Sequence, residues 1–127
     1  MSKLSKLLVV AIFGTVMILS TQAQAQAQAV NLQGRWNLQD QEVPEAHYYA
    51  NLKQTGSHVT GTYTRNGTVS TLEGRVEGGE VTLFWYQGGK SGVAKLSVVG
   101  NGNKLSGPWH YGFNSNKAPN GTWTFTR

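Results

Sequence analysis

The side chains most able to do acid–base chemistry lie in one short segment. Asp40, Glu42 and Glu45 surround Pro44, and a pair of carboxylates can act as general acid and general base when their environments separate their pKa values. A segment that contains Pro and several polar residues is typical of a loop, however, and loop carboxylates are usually solvated. We therefore expect no catalytic role for these three residues.

The remaining chemistry-bearing residues also predict no reactive centre. His47, His58 and His110 are expected at opposite ends or on the outside of the domain, so they should not share a metal ion. The absence of Cys excludes thiol catalysis, thiolate metal sites and disulfides, and no Ser lies in a Gly-x-Ser-x-Gly elbow. We predict a protein that is not an enzyme and that uses no metal and no cofactor.

The charge pattern does not indicate a nucleic-acid partner. The formal net charge is +5, and Lys3 and Lys6 in the N-terminal segment contribute to it. The other basic residues are scattered and often lie beside acidic ones, as in Glu73-Gly74-Arg75. A nucleic-acid-binding surface would need them clustered.

Residues 1–25 have the three regions of a secretory signal peptide in order. Two lysines precede an apolar run at 7–19, and small residues follow it, with cleavage expected after Ala23 or Ala25. The run is shorter than the roughly 20 residues that a membrane-spanning helix needs. We therefore expect an exported protein, periplasmic or secreted, without stable membrane insertion after cleavage.

Residues 32–127 form one predicted domain, after a flexible mature N-terminus at 26–31. Apolar and polar residues alternate along this region, which is rich in Val, Thr, Trp, Tyr and Phe and is divided by turns rich in Gly and Asn. No window has apolar residues at helical spacing. The predicted strands are 32–39, 47–54, 58–65, 70–77, 80–87, 92–99, 104–111 and 121–127.

A repeated glycine pattern favours a curved sheet. Gly34, Gly61, Gly74 and Gly107 each lie between an apolar residue two positions before and an aromatic or apolar residue two positions after. Such a glycine would point inward, where a sheet bends sharply. Closing the sheet also covers its apolar face and removes its edges. We predict an all-β fold, an eight-stranded antiparallel up-and-down (meander) barrel, with a two-sheet sandwich as the alternative.

The two ends of the predicted barrel differ. The links after the second, fourth and sixth strands are short and rich in Gly and Asn, whereas the other links are mostly longer and two contain Pro. We name the first end the closed end and the other the mouth. Strand register places six aromatic residues inside, from the middle toward the mouth, where they either fill a solid core or line a ligand cavity. These candidate ligand-binding residues are Tyr48, Tyr63, Trp85, Trp109, Tyr111 and Trp123.

The two ends of the domain carry a family resemblance. Gly34-Arg35-Trp36 on the first strand, with Arg127 at the end of the last one, resembles the calycin superfamily, which includes the lipocalins and avidins. The resemblance implies a calycin-like barrel in which Arg127 packs across Trp36 at the closed end. A guanidinium on an indole face is a favourable cation–π contact.

A second motif, Thr60-Gly61-Thr62-Tyr63, looks more specifically like avidin sequences. That likeness implies that Tyr63, and with it Trp85 and Trp109, contacts a ligand. Leu38 stands where avidins have an Asn that completes the biotin oxygen site. We therefore do not expect high-affinity biotin binding.

These observations favour a binding protein for a small, partly apolar ligand, hydrophobic or aromatic, held in the barrel mouth. The alternative is a solid barrel that acts on a protein partner through its loops or through its N-terminal tail, as a protease inhibitor could.

Overall fold

The computed structural model describes residues 30–127, so the predicted signal peptide and residues 26–29 lie outside the described residues. The described chain contains eight strands, and each pairs antiparallel with the next while β8 pairs with β1, which closes the barrel. This confirms the all-β meander barrel and excludes the sandwich. The strands are β1 Gly34–Asp40, β2 Tyr48–Thr55, β3 His58–Arg65, β4 Thr68–Glu77, β5 Glu80–Gln87, β6 Lys90–Val99, β7 Lys104–Tyr111 and β8 Gly121–Thr126.

Two of the four mouth links are tighter than expected. β4 begins at Thr68 and β6 begins at Lys90, earlier than the sequence pattern indicated. The turns before them are Asn66-Gly67 and Gly88-Gly89, and all four of these residues have positive φ. Turns of that conformation match the twist of paired strands, so pairing continues up to the turn. The mouth therefore has two long loops, 41–47 and 112–120, and two tight hairpins.

Three of the four pattern glycines lie where the backbone of a neighbouring strand approaches closely. A Cβ added at Gly61, Gly74 or Gly107 would collide with a backbone carbonyl oxygen of the neighbouring strand. Those strands can approach so closely only because no side chain intervenes. Gly34 differs, because it is exposed at the start of β1 with φ of 128° and open space around it.

The closed end is sealed by residues that precede β1. Leu32 was predicted to lie in a strand, but it lies before β1, is fully buried, and its carbonyl oxygen accepts a 2.8 Å hydrogen bond from Trp36 Nε1. Gln54 fixes this segment through a bond from Leu32 N to its Oε1 and a bond from its Nε2 to the Val30 carbonyl oxygen. Trp36 packs edge-on against Phe125, with 6.4 Å between ring centroids. The floor of the barrel is therefore solid.

Arg127 lies over this floor. Its guanidinium carbon is 4.2 Å from the Trp36 ring centroid. The guanidinium donates to the carbonyl oxygens of Asn31 at 2.6 Å, Gln33 at 3.1 Å and Gly102 at 3.1 Å. One side chain thus joins the segment before β1, the β6–β7 turn and the end of β8.

His110 is not a surface residue, in contrast to the expectation from its outward strand parity. It is 3% exposed, and its Nε2 lies 2.9 Å from the Lys117 carbonyl oxygen of the β7–β8 loop. Its pairing partner Val93 is also buried, and Phe84 packs edge-on against Phe113 nearby. Parity predicted the direction of His110, but not that a loop would fold back over the outer wall.

Candidate functional site

A cavity of about 380 Å³ opens at the barrel mouth. This volume lies within the roughly 300–1,000 Å³ that small-molecule sites span. All six of the predicted ligand-binding residues line it, and five of them are buried, whereas Tyr111 is 51% exposed at the rim. The other lining residues are Asp40, Glu42, Val43, Arg65, Gln87 and Asn120.

Three tryptophans form the inner wall of this cavity. Trp85, Trp109 and Trp123 lie at inward positions of β5, β7 and β8. Trp85 meets Trp109 edge-on at 5.8 Å between ring centroids, and Trp109 lies 6.2 Å from Trp123 at an interplanar angle of 34°. Tyr63 meets Trp123 edge-on at 5.5 Å. Such contacts are favourable in themselves and hold the rings in defined orientations.

Two glycines make room for these rings. A Cβ at Gly92 would collide with the Trp85 ring, and a Cβ at Gly121 would collide with the Trp109 ring. Each glycine is the strand partner of the tryptophan that it accommodates. The sequence pattern did not single out Gly92, because its contact depends on the pairing of β5 with β6.

Asp40 is a cavity residue that sequence reasoning placed in a solvated loop. It is the last residue of β1 and is only 7% exposed. Its Oδ1 accepts hydrogen bonds from Trp109 Nε1 at 3.3 Å and from the backbone N of Glu42 at 3.0 Å. The expectation of solvation was therefore wrong for Asp40. Its inward parity with Trp36 and Leu38 was a signal that could have identified it.

Two polar atoms in the cavity wall are buried without a hydrogen-bond partner among the described residues. They are the hydroxyl of Tyr48, a residue that is 6% exposed, and Nε1 of Trp85, which is 3% exposed. The Tyr63 hydroxyl, in contrast, donates to Gln87 Oε1 at 3.1 Å. A buried polar atom without a partner destabilises a protein by about 1–3 kcal/mol. Both residues line the cavity, and the two atoms themselves are buried behind its surface.

The two buried phenols of the cavity resist ionisation. Burial raises the pKa of Tyr48, and the nearby Arg65 guanidinium, 5.3 Å from the Tyr48 ring centroid, only partly opposes this. Burial likewise raises the pKa of Tyr63. Both side chains are therefore neutral hydroxyls at physiological pH, able to donate a hydrogen bond to a ligand.

The histidines lie apart from one another. His47 is exposed beside the mouth, and His58 is exposed at the closed end, with its Nε2 4.0 Å from a Glu73 carboxylate oxygen. Within residues 30–127, no group of three or more His, Cys, Asp or Glu side chains is arranged to hold a metal ion. The same residues include no helix that is long and apolar enough to cross a membrane.

Comparisons with known proteins identify no relative for this barrel. No protein-family model matches the chain, and neither the curated proteins nor the solved structures that were searched include a match. The closed eight-stranded antiparallel topology is consistent with a calycin-like fold.

Proposed function

We propose that this protein is an exported binding protein that holds a small, partly apolar ligand in the barrel mouth. The observation that carries the proposal is the pair of buried polar atoms without partners, Tyr48 Oη and Trp85 Nε1, in the wall of an aromatic cavity. Export is proposed from the signal-peptide features of residues 1–25.

The polar atoms of the cavity wall are better explained by a bound ligand than by a fully packed interior. A packed interior has to supply partners for the Trp and Tyr polar atoms that it buries. The closed end does so, because Trp36 Nε1 donates to the Leu32 carbonyl oxygen. At the mouth, Trp85 Nε1 has no such partner among residues 30–127. The contrast between the two ends supports a filled floor and a cavity above it that accommodates a ligand.

The proposed role is binding without chemistry. Asp40 is the carboxylate buried in the cavity, and its Oδ1 is occupied by two donors, Trp109 Nε1 and the Glu42 backbone N. These bonds hold the carboxylate in place, and no nucleophile is activated by it within the described hydrogen bonds. Recognition by the aromatic wall then provides most of the binding energy through burial of apolar surface.

Intrinsic tryptophan fluorescence and thermal unfolding, measured against a panel of small hydrophobic and aromatic compounds, test this proposal. We expect at least one compound to quench or shift the emission and to raise the melting temperature, since a ligand that binds the folded state stabilises it. A panel in which no compound changes either signal would contradict the proposal.

Two variants show whether such binding occurs in the mouth. Trp85→Phe removes the unpartnered indole N–H and keeps an aromatic ring, and we expect about a tenfold loss of affinity, which corresponds to about 1.4 kcal/mol. Tyr86→Phe is the matched control, because Tyr86 is the next residue of β5, faces outward and is 44% exposed. Equal affinities of the two variants would place the ligand elsewhere.

A further inference from the structure

We infer that the mouth selects a small aromatic amine, with its protonated nitrogen against Asp40 and a hydrogen-bond acceptor toward Trp85 Nε1. This inference rests on the proposed binding function and names the chemical class of the ligand. It follows from the charge of the cavity, from its aromatic wall and from its two unpartnered polar atoms.

Asp40 is a buried carboxylate without a cationic partner. It is 7% exposed, and the donors to its Oδ1 are an indole N–H and a backbone N–H, both neutral. Within residues 30–127, the close contacts between basic and acidic side chains are His58 with Glu73 and Arg75 with Glu77, neither of which involves Asp40. Burying a carboxylate without an ion-pair partner is unfavourable. An ammonium group of a ligand would supply that partner.

The aromatic wall suits the same cation. The hydrogen bond from Trp109 Nε1 holds the Asp40 carboxylate beside the Trp109 ring, and Trp85 and Trp123 lie within 5.8 Å and 6.2 Å of that ring, between centroids. Aromatic faces attract organic cations, most strongly where water is excluded. A nitrogen cation bound to Asp40 would therefore lie at the edge of this indole cluster, and an aromatic body attached to it would pack against the rings of the cavity wall.

The unpartnered atoms set a second requirement. An indole N–H only donates, so Trp85 Nε1 requires an acceptor, while the Tyr48 hydroxyl can donate or accept. A purely hydrocarbon amine would leave both groups without partners. The ligand should therefore also carry an oxygen or nitrogen acceptor.

Two basic side chains near the mouth repel a cationic ligand, but this repulsion is weaker than the attraction by Asp40. Arg65 lies over Tyr48 at 5.3 Å, and Lys90 lies near the rim residue Tyr111, with its Nζ 5.9 Å from the ring centroid. Arg65 is only partly buried and Lys90 is exposed, so water and salt screen their charges more than they screen the charge of Asp40. An anionic ligand would instead use Arg65, and the experiment distinguishes that case.

The test compares three probes that share one aromatic body: tyramine, which is cationic, para-ethylphenol, which is neutral, and para-hydroxyphenylpropanoate, which is anionic. Calorimetric titration of the full protein at neutral pH should show tyramine binding at least about tenfold more tightly than para-ethylphenol, with the anion weakest. Asp40→Asn should lower tyramine affinity about tenfold and leave para-ethylphenol affinity unchanged. Glu80→Gln, which removes an exposed carboxylate beside the closed end, is the control for overall charge and should change neither.

Several outcomes would overturn the inference. If the neutral or anionic probe binds as tightly as tyramine, the inference is wrong but the proposed binding function stands. The same holds if a panel compound binds and tyramine does not. The absence of binding by every probe and every panel compound would end both proposals. If Asp40→Asn lowers the melting temperature too far for titration, Arg65→Gln provides the second variant. It should tighten tyramine binding relative to para-ethylphenol, and an unchanged ratio would count against the inference.

Discussion

Truncation of Arg127 should measurably destabilise the closed end. In the structure its guanidinium lies 4.2 Å from the Trp36 ring centroid and donates to three backbone carbonyl oxygens. Arg127→Ala removes all of these contacts together. It also removes the bond from Arg127 Nε to Asn103 Oδ1, which is longer at 3.3 Å.

These contacts set the size of the expected loss of stability. A cation–π contact at a partly exposed site contributes about 0.5–1 kcal/mol. Three charge-assisted hydrogen bonds, discounted for their exposure to water, contribute about 0.5 kcal/mol each. The side-chain entropy lost on ordering an arginine offsets part of this sum. We therefore expect Arg127→Ala to lower the free energy of unfolding by about 1.5 kcal/mol, which in a domain of this size is about 6–12 °C in melting temperature.

Urea unfolding followed by circular dichroism and by tryptophan fluorescence measures this difference. Arg35→Ala is a matched control, because the Arg35 guanidinium also lies 4.2 Å from an aromatic centroid, that of Tyr49. Arg35 is exposed on the outer wall, and its side chain makes no hydrogen bond within residues 30–127. Its loss should therefore lower stability by no more than about 1 kcal/mol.

Two results would refute this reasoning. If Arg127→Ala and Arg35→Ala destabilise equally, the hydrogen bonds to the closed end contribute nothing beyond the cation–π contact. If Arg127→Lys is as stable as the parent, the charge alone is sufficient. The planar fork of the guanidinium, which a lysine ammonium cannot reproduce, would then be irrelevant.

Further predictions concern a glycine at a close approach of two strands and the buried phenols. Gly74→Ala should lower the free energy of unfolding by about 2–3 kcal/mol, because its Cβ would collide with the Thr82 carbonyl oxygen. The control Gly79→Ala, which has open space around it, should change the stability little. Urea unfolding measures both variants, and similar losses would contradict this account. Because burial raises the pKa of Tyr48 and Tyr63 above 10.0, the folded protein should keep these protons at a pH where the unfolded chain loses them. Their contribution to stability is then complete below about pH 10 and is lost as the pH rises through the raised folded-state pKa. The double variant Tyr48→Phe, Tyr63→Phe should therefore lose stability less steeply than the parent between about pH 10 and pH 12, and an identical pH dependence would exclude this contribution.

Strand positions and the direction of the barrel could be predicted from sequence because they depend on local chemistry. Alternation of side chains decides which residues of a strand share a face, and residues that tolerate positive φ mark the tight turns. The inward positions of Tyr63, Trp85 and Trp109 followed from this alternation alone. Some strand ends were predicted wrongly, such as the early start of β4 at Thr68. Strand pairing there continues up to a tight hairpin turn, and the composition of that turn is the same as that of a loop.

The environment of individual polar groups could not be predicted in the same way. Asp40 and His110 both lie beside loops, where composition favours solvation, yet both are buried. Asp40 is covered because β7 brings Trp109 to it, and its hydrogen-bond partner is 69 residues away in the chain. His110 is covered because the β7–β8 loop folds back over the outer wall and places the Lys117 carbonyl oxygen against it.

The sequence by itself determined an all-β fold with two unequal ends and an inward set of aromatic residues, since periodicity and turn chemistry act over a few residues, whereas closure into a barrel was a prediction that the structure confirmed. Only the tertiary structure decided that a cavity of about 380 Å³ opens above the buried aromatic set, and that a buried carboxylate and the residues of two unpartnered polar atoms line it. The physical reason is that burial and hydrogen-bond satisfaction depend on which distant strands meet. Closure of β8 onto β1 brings those strands together.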